Sequence, residues 1–162
     1  MNNLESKFDS IYKENYPKVF RLCQGYTKGN EILSKDLVQE TFIKVWQNLK
    51  SFRNDSSIST WIYRITVNTC LIELRKKKTI PIKDHLNHLD DDNENRSEEK
   101  ELQLNHLYRC IDKLKSENKS IILLELEGLP QKEIADITGL SHEVIRVRLH
   151  RIKNQLTKCV KQ

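Results

Sequence analysis

Arg64, Asn68 and Arg75 fall on one side of the stretch from Ser56 to Lys78. The apolar residues Ile58, Trp61, Ile62, Ile65 and Ile72 recur through it at helical spacing, with Thr69 continuing their stripe. The chemistry these polar residues offer is binding. A guanidinium pairs with phosphate, and an amide meets a base edge or the sugar-phosphate backbone. The run Arg75, Lys76, Lys77, Lys78 suits the negative end of a helix dipole and makes a compact positive patch. A core helix with a basic C-terminus would look the same from this stretch alone, so the rest of the chain must decide.

A second constellation follows Leu129-Pro130. Gln131 to Thr138 reads as a short helix with Ile134, Ala135 and Ile137 as its apolar face. Ala135 is small, as two closely crossing helices require. Gly139 stands where a tight turn needs positive φ, Leu140 plugs the corner, and Ser141 is a good N-cap for the next helix. That helix buries Ile145, Leu149, Ile152 and Leu156. It exposes His142, Arg146, Val147, His150, Arg151 and Lys153, with Arg148 flanking them. This is helix-turn-helix grammar, and a basic second helix fits the major groove. A solvated basic face is the plainer alternative; the small-residue, glycine and cap spacing favours DNA.

Enzyme chemistry finds no footing. There is no Gly-rich phosphate loop, no HExxH and no nucleophile motif, and the scattered histidines make no ligand set. No metal or cofactor is implied. Cys23, Cys70, Cys110 and Cys159 lie far apart, without a CxxC, each beside apolar residues in a helical pattern. Buried free thiols are expected, in preference to a zinc site or disulfides. The net charge of +5 permits a nucleic-acid partner. No apolar run approaches the ~20 residues of a membrane span, and the start, MNNLESKFDSIY, lacks a signal core. A soluble cytoplasmic protein with no membrane insertion of its own is expected.

The positioning elements are helices. Gly and Pro are rare and no alternating pattern is sustained, which predicts an all-α chain. Leu4, Phe8, Ile11 and Tyr12 mark a first helix, and Pro17 starts or kinks a second that carries Val19, Phe20, Cys23 and Tyr26. After a loop at Lys28-Gly29-Asn30, a third helix runs from an N-cap at Ser34 to Lys50, with Leu37, Phe42, Val45, Trp46 and Leu49 apolar. Ser51 to Ser57 is a polar loop, and Pro81 ends the Ser56–Lys78 helix. From Asp84 to Glu101 acidic residues and Asn dominate, the composition of a flexible tether. Leu104, Leu107, Ile111 and Leu114 then form one stripe, and Ile121 to Leu126 is an apolar helix closed by Gly128. The prediction is two small helical domains, 1–80 and 102–162, joined by a flexible acidic linker at 81–101.

Together these residues resemble the extracytoplasmic-function sigma factors of the sigma-70 superfamily, subunits that bring bacterial RNA polymerase to promoters. Asp36 to Trp46, DLVQETFIKVW, is similar to the family's region 2 helix that docks on core polymerase; Asp36, Leu37, Gln39, Glu40 and Ile43 would supply that contact. Phe52 to Ser56, followed by Thr60 to Ile65 and Val67-Asn68, is similar to its segment that reads and melts the minus-ten element. The resemblance then assigns Arg53, Asn54, Asp55, Ser56, Arg64, Asn68, Arg75 and Lys76 to that DNA. Trp61 and Tyr63 are the aromatics able to stack on bases, although Trp61 continues the apolar stripe and burial is expected for it. Leu129 to Lys153 is similar to region 4, which reads the minus-thirty-five element; the implied contacts are Ser141, His142, Arg146, Val147, Arg148, His150, Arg151 and Lys153. Implied partners are core RNA polymerase, promoter DNA both duplex and melted, and an anti-sigma factor. Two positions depart from the family. His142-Glu143 stands where many members have Gly-Thr, and Val147 where a Ser is common; these bear on promoter sequence, not role. A helix-turn-helix regulator acting without polymerase would account for Leu129 onward but not for RNDSSISTWIYRITVN.

Overall fold

The computed structural model describes residues 3–77 and 98–162. Among the described residues every regular element is helical: α1 (Asn3–Tyr26), α2 (Glu31–Asn48), α3 (Ile58–Lys77), α4 (Glu98–Asp112), α5 (Ser116–Leu126), α6 (Gln131–Thr138) and α7 (His142–Val160), with a single 3-10 turn at Leu49–Ser51. α1, α2 and α3 bury Val19, Leu22, Val38, Val45 and Ile62 between them. α4 to α7 enclose Ile111, Ile121, Leu124, Ile134, Ile145, Leu149 and Ile152. Most of the acidic linker, and Pro81 with it, lies outside the described residues. α4 opens at Glu98, so Glu98, Glu99 and Glu101, read from composition as tether, form its first turn. Carboxylates suit that end because the exposed N–H groups there carry partial positive charge.

Pro17 neither starts nor divides a helix; α1 runs through it. Proline removes one N–H and crowds the carbonyl four residues earlier. Here that carbonyl belongs to Lys13, on a side where Lys13, Glu14 and Pro17 are all exposed and water can serve it. Ile11, Val19 and Leu22 are buried on either side of the break, so packing carries the helix across it.

α2 begins earlier than its apolar pattern suggests. Asn30 is the N-cap, its side chain accepting from the Leu33 N–H at 3.1 Å. Ser34 is inside the helix and buried; its hydroxyl donates to the Asn30 carbonyl at 2.6 Å and pairs with Thr27 at 2.8 Å. Lys28 (φ 57) and Gly29 (φ 80) make the preceding left-handed turn.

α3 is buried over a wider arc than its isoleucine stripe. Thr60, Tyr63, Thr66, Val67, Thr69 and Cys70 are buried with Ile62, while Ile72 is 45% exposed. The helix meets α1 and α2 on one side and α6 on the other. Threonine tolerates that setting because its hydroxyl bonds back to the i−4 carbonyl: Thr66 to Ile62 and Thr69 to Ile65, each at 2.7 Å.

The helix-turn-helix follows the sequence closely. Gly128 (φ 85) closes α5, with the Gly128 N–H on the Glu125 carbonyl and the Leu129 N–H on that of Leu124, the two bonds of a Schellman cap. Gly139 (φ 76) ends α6, and the Ser141 side chain caps α7 through the Val144 N–H at 3.2 Å. Leu104, expected in the α4 stripe, is exposed, whereas Ile111 and Leu114 are buried.

The expectation of four free thiols fails for two of them. Cys23 and Cys70 are free and buried, their sulfurs 3.8 Å apart between α1 and α3. Cys110 of α4 and Cys159 of α7 are joined in a disulfide. Nothing in their spacing shows this, because the pair is made by α4 packing along α7.

Candidate nucleic-acid interface and polymerase-docking face

The α2 face is the first candidate surface. Asp36, Gln39, Glu40 and Ile43 are exposed on it at spacings of three and four residues, so they form one strip. Leu37 does not belong with them; it is 3% exposed and part of the core. In its place the strip gains Ile32, 77% exposed at its start, and Trp46 at its end. Trp46 leans edge-on against Phe8, ring centroids 5.2 Å apart, which holds the indole at the surface. Sequence reasoning took Trp46 only as an apolar residue of this helix, left it out of the docking contacts, and passed over Ile32. The signal was available: both continue the three-and-four spacing from Asp36.

The second surface is built by the loop before α3 and by one line along that helix. Ser57 caps α3, its hydroxyl accepting from the Thr60 N–H at 3.1 Å. Phe52 closes the loop's base on Trp61, ring centroids 4.8 Å apart. Between these anchors Arg53, Asn54 and Asp55 stand exposed, Asn54 at φ 59, with Ser56 partly covered. At 100° per residue Arg64, Asn68 and Arg75 fall within about 40° of each other around α3. Lys76 departs from that line by roughly 100° and pairs with Glu73 at 3.5 Å. Lys78 lies outside the described residues. Of the two aromatics, Tyr63 is the buried one and Trp61 is half covered. Burial and then the neighbouring Glu127 push the Tyr63 phenol up to about 12.

That line faces the α4–α7 unit. Arg64 donates to the Asp136 carbonyl of α6 at 3.1 Å. Asn68 and Arg75 border a cavity of about 290 Å³ closed on its far side by Ser116, Glu117 and Thr138. The seam continues along α1. Arg21 makes two bonds of 3.1 Å to the Glu127 carboxylate, and that hydrogen-bonded partner raises its guanidinium pKa further. The Tyr26 and Ser120 hydroxyls meet at 2.5 Å, and Gly25 lies directly against Leu123. Asp112 takes Lys28 at 3.1 Å and Lys119 at 3.0 Å. Burial alone would push the Asp112 carboxyl up; the two ammonium groups bring it below its ordinary value.

The third surface is α7. His142, Arg146, Val147, His150, Arg151 and Lys153 are exposed, and Ser141 sits at the N-terminus as the cap. Arg148 pairs with Glu117 and Lys153 with Glu125 at 3.0 Å, which ties both to α5. Arg146 and Arg151 make no ion pair among the described residues. A two-helix corner with a capped basic second helix and two unengaged arginines is equipped to enter a major groove.

Both helical units have counterparts among known proteins. Residues 11–80 match Sigma-70 region 2, and residues 104–156 match Sigma-70, region 4. The RNA polymerase sigma factor SigV of Bacillus subtilis is 35% identical over 146 residues, covering 86% of this chain and 84% of SigV. The ECF RNA polymerase sigma-E factor of Haemophilus influenzae is 31% identical over 165 residues, covering 92% and 85%. Among solved structures, the sigma factor RpoE in complex with the anti-sigma factor NepR from Bartonella quintana superposes with a TM-score of 0.77 at 21% identity, covering 96% of this chain and 97% of that one. CnrH in complex with the cytosolic domain of CnrY gives 0.73 at 21%, covering 97% and 89%. The chain belongs to the sigma-70 family, in its extracytoplasmic-function class. It is a transcription initiation factor that binds core RNA polymerase and directs it to promoters. Region 2 reads and melts the minus-ten element, and region 4 reads the minus-thirty-five element.

Proposed function

We propose that the α2 strip of Asp36, Gln39, Glu40, Ile43, Ile32 and Trp46 docks on core polymerase. The loop Arg53–Ser56 with Arg64, Asn68 and Arg75 then holds the melted minus-ten strand, and Arg146 and Arg151 lead the contact with minus-thirty-five duplex. The observation that carries this reading is the single polar line on α3, headed by a capped, aromatic-braced loop. Single-strand binding needs such a backbone track with polar edges beside an aromatic wall. Residues 1–80 act as region 2, 81–97 as the tether and 98–162, from the start of α4, as region 4. The protein works in the cytoplasm, needs no cofactor and catalyses no reaction of its own. Two solved relatives are held by partners, one named as an anti-sigma factor; a protein inhibitor of that kind is the expected regulator here.

With Arg64 on Asp136, the α3 line opens to a DNA strand only when the two units part. A side chain at Gly25 is the lever. A Cβ there would stand 2.2 Å from Leu123 Cδ2, and the residue's φ is not in the left-handed range. Gly25→Leu is therefore tolerated by α1 and refused by the seam. Overpacking of this kind costs ~1–3 kcal/mol, so the closed form should lose about 5- to 150-fold in population. Small-angle scattering should show an expanded chain, and binding of a minus-ten single strand should rise. An equally compact variant with unchanged strand affinity would mean the seam does not gate α3.

Region 4 is tested on randomised minus-thirty-five DNA. Arg146 lies nearer the helix N-terminus that enters the groove, so it is the base reader and Arg151 the phosphate holder. A bidentate base contact is worth ~1–3 kcal/mol of discrimination, whereas a phosphate contact changes the salt slope by roughly one. Arg146→Ala should relax preference at one or two positions, and Arg151→Ala should mainly flatten the salt dependence. An unchanged sequence preference in the Arg146 variant removes its role as reader.

A further inference from the structure

The four cysteines form two pairs, one in each unit, and their surroundings differ. Cys23 and Cys70 are fully buried between α1 and α3. The bond to Cys23 and then burial hold the Cys70 thiol well above its ordinary pKa, hence protonated and unreactive. Cys110 is buried on α4, but Cys159, its partner on the last turn of α7, is only partly covered. Their Cα atoms are 5.9 Å apart, a separation that helix packing sets and that a disulfide spans without backbone movement. The pair joins the first and last helices of region 4, 49 residues apart, and so closes α5 and α6 inside one covalent ring.

We infer that Cys110 and Cys159 are a reversible redox site that staples region 4, with a hydroperoxide as oxidant, while Cys23 and Cys70 remain dithiol. The Cys159 thiolate, being the accessible one, attacks the peroxide oxygen and becomes a sulfenic acid, releasing an alcohol or water. Cys110 sulfur then attacks Cys159 sulfur, forming the S–S bond and breaking the S–O bond, whose oxygen leaves as water. Two thiols lose two electrons and two protons; the peroxide O–O bond takes the electrons. A dithiol reductant reverses the step by exchange. In a reducing cytoplasm a disulfide in this position reports oxidant, since structural disulfides are rare there. Its consequence is mechanical. Cys159 is thirteen residues beyond Arg146 along one helix, roughly 20 Å, so the bond leaves the DNA-facing end untouched and fixes the frame that presents it.

The test uses the full chain, reduced with dithiothreitol or treated with hydrogen peroxide, then alkylated and mapped by mass spectrometry. The expected product is one linked peptide pair containing Cys110 and Cys159, with Cys23 and Cys70 alkylated only after denaturation. Closing a ring of this size should raise the unfolding midpoint of region 4 by ~10 °C or more. Affinity for minus-thirty-five duplex at 25 °C should stay within about twofold. Cys159→Ser, a half-buried isosteric change, should match the reduced chain and show no shift with peroxide. Linkage of Cys23 to Cys70 instead, over-oxidation of Cys159 without linkage, or equal midpoints for oxidised and reduced chain would each overturn the inference.

Discussion

Replacing both Asp36 and Glu40 by lysine should weaken binding to core RNA polymerase by about 10- to 100-fold with helix content unchanged. Both carboxylates are exposed on α2, and neither makes an ion pair among the described residues. They stand four residues apart, so the native helix already carries a like-charge pair there; Glu40→Lys adds a second one with Lys44, a cost of only about 0.2–0.5 kcal/mol within the helix. The loss therefore falls on the complex. Like charges brought together across an interface cost several kcal/mol when desolvated, and a tenfold change needs only about 1.4 kcal/mol. Trp46→Ala should add to the effect, because an aromatic at the end of such a strip is the type of residue on which interface energy concentrates. Titrating labelled chain with purified core polymerase measures it; an unaltered affinity would place the dock on another face.

The helix-turn-helix was legible almost residue by residue because its determinants are local. Gly139 must be left-handed, Ser141 must cap, and Ile145, Leu149, Ile152 and Leu156 must share a face; each requirement is met within a few residues of chain. Where long-range packing decides, the sequence misled. Pro17 reads as a boundary until Ile11, Val19 and Leu22 are seen buried around it. Leu37 sits inside a motif of surface residues yet points to the core, and Trp46 sits in an apolar stripe yet reaches the surface. Thr69 was legible as part of the α3 stripe, but Thr66 lies off it, and its bond to the i−4 carbonyl, which lets it be buried, is invisible in composition. The Cys110–Cys159 pair and the Arg64–Asp136 bond join residues far apart in sequence, and no local pattern carries such information.

The α3 line is proposed to meet a single strand of opened promoter. Arg64→Ala and Asn68→Ala address it, and the closed geometry sharpens the comparison. Removing the Arg64 side chain also removes its bond to Asp136, which favours parting of the units and easier access for DNA. A melting defect in that variant therefore cannot come from tighter closure. A hydrogen bond to a strand is worth about 0.5–1.5 kcal/mol when neutral and about 1.5–3 kcal/mol when one partner is charged, so open-complex yield should fall roughly 2- to 150-fold while closed-complex binding changes little. The decisive measurement is transcription by core polymerase carrying each variant on two templates, one fully duplex and one with the minus-ten region already unpaired. A severe loss on duplex and substantial recovery on the unpaired template are expected. Equal loss on both templates, with closed-complex binding reduced in parallel, would contradict single-strand contact and return Arg64 and Asn68 to duplex contact or to the fold.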